Sequence, residues 1–358
     1  MKSFLSLLII LLILVGTAVT MSKLVINKII TDLNAPVVSS ATPTPEPPAV
    51  ITKKPSSSLF VPYWTVPVSF ENETYDQLIY FGISIGKEGI NTEEAGYNNL
   101  SKFQKATVGR ETLLTLRMLD SVLNFKVLDD KNLQQKVIKE TLALKDQYGF
   151  DGIVLDLEIS ALPLPKTIEK ISGFIKAFYQ EAHKQNTYFA VAMYGDTFYR
   201  VRPFDAPTIA KYSDQVMIMA YDFHKARGNP GPNFPLRGKE TFGYDFMTMI
   251  DSFLSFFPAE KITVISGLYG YDWIVDGSNV TVGTAKPLTL HQIRKRVDNC
   301  VSCTIVRDKK AEETKIEYEE NGEKHIIWFE DHESVKKKQE YLKSKGINSF
   351  SSWAYTYF

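Results

Sequence analysis

Cysteine is almost missing from this chain of 358 residues: Cys300 and Cys303 are the only two. A disulfide framework is thereby excluded, and with no second pair and no accompanying histidines so is a zinc site; a local disulfide or two free thiols is the expected state. An excess of charge is missing too. Lys and Arg number 41, Asp and Glu 41, and the formal net charge is zero. No basic run is longer than Lys336 to Lys338, so the sequence lacks the phosphate-neutralising patch that a nucleic-acid partner requires. No cysteine follows the apolar N-terminal run, which excludes lipidation at that point.

That run opens the chain. Lys2 precedes an apolar stretch from Phe4 to Val15, and the small residues Gly16, Thr17 and Ala18 follow. Residues 1–22 therefore read as a secretory signal peptide or, continued through Val19 and Met21 to Lys23, as an N-terminal membrane anchor. Residues 23–57 read as a linker: six prolines lie between Pro36 and Pro55, interleaved with Ser, Thr and Ala. Such a composition buries too little apolar surface to fold and extends instead as a spacer. The folded part is expected to be exported, with the membrane touched only through the N-terminal segment, and to work as a monomer.

From residue 58 to residue 358 short apolar runs alternate with longer amphipathic stretches, the pattern of repeated βα units around a parallel sheet. Eight strands are expected, at residues 59–64, 78–84, 112–118, 152–158, 188–194, 214–221, 262–268 and 348–354. Between them Leu133, Val137, Ile138 and Leu142 form one helical stripe, and Ile168, Ile171, Phe174, Ile175, Phe178 and Ala182 another. Eight strands so arranged predict an α/β fold, a (β/α)8 TIM barrel, with functional groups at the C-terminal ends of the strands. The long gap between the seventh and eighth strands calls for a small α+β insertion over 274–330. Within it TIVRD, KIEYEE and HIIWFE read as strands, with Asn321 and Gly322 as a hairpin turn.

The chemistry-bearing segment is DGIVLDLE, Asp151 to Glu158. Residues two apart in a strand share a face, so Val154, Asp156 and Glu158 point the same way. Two carboxylates on the interior face of a barrel strand are costly unless they serve a function or are paired, so they mark a candidate site. A pair of carboxylates held by a neighbouring Arg or Lys is the structural alternative.

DGIVLDLE resembles the D-x-x-D-x-D-x-E signature of glycoside hydrolase family 18, the chitinase-like barrels. Asp151, Asp156 and Glu158 stand in the first, third and final acidic positions, next to Gly152, and Val154 replaces the second Asp. YFGIS, MAYDFH from Met219, GLYGYDW and GINSFSSWAY are similar to further segments of that family in the same order, whereas LRMLD departs from its S-x-G-G.

The resemblance implies a retaining, substrate-assisted glycosidase acting on an oligosaccharide or polysaccharide with an N-acetylated sugar at the cleaved position, and it implies no cofactor and no metal. Glu158 would be the acid and base, Asp156 would hold the acetamido N–H, and Tyr221 would donate to the acetamido carbonyl. Asp222 and Met219 would contact substrate, and Trp353 would be the floor beneath the reacting sugar. Tyr63 and Tyr271, together with Trp64 and Trp273, are weaker aromatic candidates for the same role, each better explained by packing. Two alternatives stay open: a catalytically silent barrel that binds glycans or scaffolds a wall complex, and an unrelated barrel using the two carboxylates as metal ligands, for which no histidine cluster speaks.

Overall fold

The computed structural model describes residues 57–71, 73–300 and 302–358. The expectations for residues 1–22 and for the linker up to residue 56 lie outside the described residues. Eight apolar runs become parallel strands because both their faces are covered. They are β1 (Ser57–Pro62), β2 (Gln77–Gly86), β4 (Glu111–Met118), β5 (Gly152–Leu157), β6 (Tyr188–Tyr194), β7 (Gln215–Ala220), β8 (Ile262–Gly267) and β14 (Ser349–Trp353), with the two-residue β3 (Gly89–Ile90) hairpinned onto β2. β1 pairs with β14 on one side and β2 on the other, so the sheet closes into a barrel.

Alternation along each strand divides two apolar layers. Phe60, Ile79, Leu113, Val154, Ala190, Met217 and Ile265 fill the barrel interior. Leu59, Leu78, Leu114, Ile153, Val191, Val216 and Val264 face outward into the layer shared with the helices. Small opposes large where the interior narrows, as at Ala192 beside Met217. The helix Lys131–Tyr148 buries Leu133, Val137, Ile138 and Leu142, and the helix Pro165–His183 buries Ile171, Phe174, Ile175, Phe178 and Ala182. Each large apolar side chain so buried contributes ~1.5–3 kcal/mol.

Most strand ends shift by a residue or two from the sequence reading, and two boundaries bear on the architecture. The first strand stops at Pro62 instead of Trp64, because proline has no N–H for the ladder, and Tyr63–Thr65 turns as a 3-10 helix that leaves Trp64 52% exposed. The second boundary concerns the insertion. A five-stranded antiparallel sheet runs in the order β10–β9–β13–β12–β11, from β9 (Tyr269–Val275), β10 (Lys286–Thr289), β11 (Thr304–Asp308), β12 (Glu313–Glu320) and β13 (Glu323–Phe329). It begins at Tyr269, ahead of the 274 expected, since Leu268 donates its N–H to Trp353 O and the next residue enters a new register against β13 and β10. Asn321 and Gly322, both at positive φ, turn β12 into β13. Cys300 and Cys303 are joined in a disulfide.

Candidate active site

The geometry of the site follows from β5. Asp151 lies at its foot, where the carboxylate accepts the Thr112 N–H at 2.8 Å and its own N–H bonds Thr112 O at 2.8 Å, fastening β5 to β4. Gly152 is required there: a Cβ would stand 2.7 Å from Tyr188 O. Val154 is fully buried in the barrel interior. Above it Asp156 is buried as well, and its Oδ1 has no hydrogen-bond partner among the described residues. Glu158, one residue past the strand, is only partly buried. Its N–H bonds Met118 O at 2.9 Å and its C=O accepts the Asn124 side-chain amide at 2.8 Å, so the backbone is fixed on both sides. The carboxylate accepts the Tyr194 hydroxyl at 2.8 Å.

Burial pushes the Asp156 carboxyl well above the usual carboxylate range, the charge of Glu158 pushes it further, and Arg117 opposes both. Arg117 is the register partner of Asp156 on β4. Its guanidinium donates to Gly82 O at 2.8 Å and to both Glu94 oxygens at 3.0 Å, with the Tyr63 ring 4.9 Å and the Phe81 ring 5.3 Å away. The Gly82 carbonyl is free for this contact because β2 slips register between Phe81 and Ile83.

Tyr221 follows β7 directly, and burial together with the charges of Asp156, Asp222 and Glu158 holds its hydroxyl far from ionisation, so it is a donor. Asp222 accepts the hydroxyls of Tyr269 and Tyr271, the latter at 2.8 Å. Glu158, Tyr194, Met219, Tyr221, Asp222 and Lys225 line one small cavity of about 90 Å³. That is far below the ~300 Å³ at which ligand pockets begin, so it is a niche for one polar group within a wider mouth. Trp353 ends β14 at the same mouth, its ring 4.8 Å from Phe81, 5.7 Å from Phe60 and 6.2 Å from Tyr221, the last nearly parallel.

The model of Glycosyl hydrolases family 18 matches residues 86–357. The chain belongs to this family. The cortical fragment-lytic enzyme of Bacillus anthracis is 26% identical over 235 residues, 63% of this chain and 51% of the relative. The chain spans between half and two thirds of the length of the curated relatives it matches. Two solved structures share the fold. The Ostrinia furnacalis group IV chitinase in complex with allosamidin has a TM-score of 0.71 at 19% identity, covering 84% of this chain and 92% of the chitinase. The Bacillus cereus spore cortex-lytic enzyme SleL has a TM-score of 0.70 at 21% identity, covering 86% of this chain and 72% of the enzyme.

In this family 18 chain Glu158, Met219, Tyr221 and Asp222 meet around one cavity, with Asp156 buried two residues before Glu158 and Trp353 beside Tyr221. Tyr271 joins them only through Asp222. Tyr63 does not reach the cavity: its ring covers Arg117. Asp151 and Gly152, although part of the signature, hold the barrel's opposite end. Trp273 is fully buried in the insertion's core. Sequence reasoning missed Tyr194, yet period-two alternation through Tyr188, Ala190 and Ala192 puts it on the interior face at its strand's C-terminal end. It also missed the Arg117–Glu94 pair, which no local pattern announces.

Proposed function

We propose that this family 18 chain is an exported glycosidase that cleaves β-linked N-acetylated glycans with retention, the substrate's own acetamido group serving as nucleophile. The observation that carries the reading is the buried Asp156 two residues before the accessible, tyrosine-bonded Glu158. Glu158 gives its proton to the glycosidic oxygen as the acetamido carbonyl oxygen attacks the anomeric carbon and the leaving sugar departs. Asp156 accepts the acetamido N–H and balances the positive charge of the cyclic intermediate. The Tyr221 hydroxyl donates to the acetamido carbonyl and aligns it for attack. Glu158 then takes a proton from water, which opens the intermediate from the side the leaving sugar vacated.

This scheme is the exception to the two-carboxylate arrangement of retaining glycosidases, because no second carboxylate has to reach the anomeric carbon. Trp353 would present its face to the C–H face of the reacting sugar, with Met219 and Asp222 at the cavity's edge. Chitin-like glycans and peptidoglycan both supply the N-acetylated sugar. The names of the relatives, chitinases and cortex-lytic enzymes, support those two classes. Export is supported by the apolar run from Phe4 to Val15 and its small-residue flank.

The test is incubation of the protein with chitooligosaccharides and with purified peptidoglycan, followed by mass analysis of new reducing ends. New ends from either substrate support the proposal. Binding with no new ends from either would instead favour a silent glycan-binding barrel.

A further inference from the structure

Asp222 has a left-handed backbone, φ 58°, unusual for a residue with a side chain. Such a conformation is strained and persists only where the surroundings over-determine it. Here they do. Asn233, itself buried, accepts the Asp222 N–H on its Oδ1 at 2.7 Å and the Phe223 N–H on its backbone oxygen at 2.8 Å. Its side-chain amide donates to Gly267 O at 2.9 Å, tying the loop after β7 to the end of β8.

Asn233 is in turn held from the insertion. Glu313, at the start of β12 and fully buried, accepts the N–H of Asn233 at 2.6 Å on one oxygen and the N–H of Phe234 at 2.9 Å on the other. Lys338 of the helix His332–Ser344 lies 3.0 Å from Glu313 and also bonds Glu330, whose other oxygen accepts the Gly267 N–H at 2.8 Å. A buried cluster of one ammonium and two carboxylates is expensive in stability and is weak evidence of a stabilising role. Its carboxylates accept backbone amides of the loop after β7 and of the end of β8. On the far side, Asp222 takes the hydroxyls of Tyr269 and Tyr271 from β9 of the same insertion sheet.

We propose that Asn233 and Glu313 are positioning residues for Asp222, so that the insertion sheet, through its buried charges, sets the shape of the niche beside Glu158. This rests on the reading of Asp222 as a residue that meets substrate.

A double-mutant cycle tests it on the full chain. Glu313→Gln, Asp222→Asn and the double variant are compared on one N-acetylated oligosaccharide for kcat and KM separately. Oligosaccharide affinity from intrinsic tryptophan fluorescence gives a second readout that needs no turnover. The expected result is a loss of about tenfold or more in kcat/KM for Glu313→Gln in the native background and less than about threefold once Asp222 is already Asn, because neighbours acting through one group are not additive.

Equal losses in both backgrounds would overturn the proposal, since a general weakening of the fold ignores Asp222. If Glu313→Gln does not melt cooperatively, Asn233→Ser goes through the same cycle with the same expected and contrary results. A native protein that neither binds nor cleaves the oligosaccharide would overturn the reading of Asp222 itself, and the positioning role with it.

Discussion

The Tyr194 hydroxyl lies 2.8 Å from Glu158 Oε2, and a hydrogen bond to a charged group is worth ~1.5–3 kcal/mol. Tyr194→Phe keeps the ring, which Arg202 covers at 3.6 Å, and removes only that donor. It should lower kcat about tenfold with KM nearly unchanged, the cost of one such bond in the transition state. A kcat within about twofold of native, measured by steady-state kinetics, would mean the bond plays no part.

Position 154 is a second single-residue test. Burial already raises the Asp156 carboxyl, so on acidification it loses its charge, and with it the balance for the cationic intermediate, earlier than an exposed Asp would. Val154 offers no group to share that proton. Its register partner Thr115 has a buried hydroxyl without a partner among the described residues. An Asp at 154 would therefore meet a donor on β4 as well as Asp156 above it, and the two carboxyls would titrate as a pair. Val154→Asp is expected to fold and to broaden or shift the acidic limb of the pH–rate profile. An acidic limb identical to that of the native enzyme on the same substrate would show that position 154 has no electrostatic influence.

Among elements, the loops after β4 and β5 are joined by one side chain. Asn124, fully buried, donates to Met118 O at 2.7 Å and Glu158 O at 2.8 Å. Asn124→Leu leaves the Glu158 carbonyl without its donor at about 1–3 kcal/mol, while Met118 O keeps the Glu158 N–H, and each kcal/mol lowers the Tm of a domain this size by roughly 2 °C. The melting temperature should fall by several degrees and kcat with it. An unchanged melting curve would show that Glu158 is held by other contacts.

The same scale shows what the sequence could disclose. All eight barrel strands are legible because a parallel strand covered on both faces must be a short apolar run, and the helices between them carry their own stripes. Asp156 and Glu158 are legible because carboxylates on an interior face violate that rule. Tyr194 obeys it, as a tyrosine ending an apolar strand, and so stays hidden. Asn233, Glu313 and Lys338 are hidden for another reason: their meaning lies in contacts between residues 80 and 25 positions apart, which no local periodicity encodes. The end of β1 was signalled by Pro62 and the end of β8 was not, since Leu268 is as apolar as the strand it terminates.

For the whole molecule, the buried charges make stability depend on pH. Burial raises the Glu330 carboxyl from 4.5 to about 7, with Glu313 adding to the rise and Lys338 opposing it. The folded state thus binds this proton more tightly than the unfolded chain, and this group's contribution to stability falls as pH rises from about 4.5 through about 7. Asp156 acts in the same direction, whereas His224, lowered mainly by burial, acts in the opposite one. Glu330→Gln removes this titration. The drop in urea midpoint between pH 5.5 and pH 7.5 should be smaller in that variant than in the native chain, or reversed. The same drop in both proteins would show that Glu330 does not titrate in this range.

The proposal that the cleaved sugar supplies its own nucleophile, with Glu158 as acid, is tested most directly by product analysis on two matched sets of β-1,4 oligosaccharides. One is built from N-acetylglucosamine and the other from glucose, and both are given to the native enzyme and to Glu158→Gln. The native enzyme should cleave the first set and leave the second intact, while Glu158→Gln should cleave neither, with a rate loss of ~10² or more, and still bind the first. Efficient cleavage of the glucose series by the native enzyme, or native turnover by Glu158→Gln, would contradict the account.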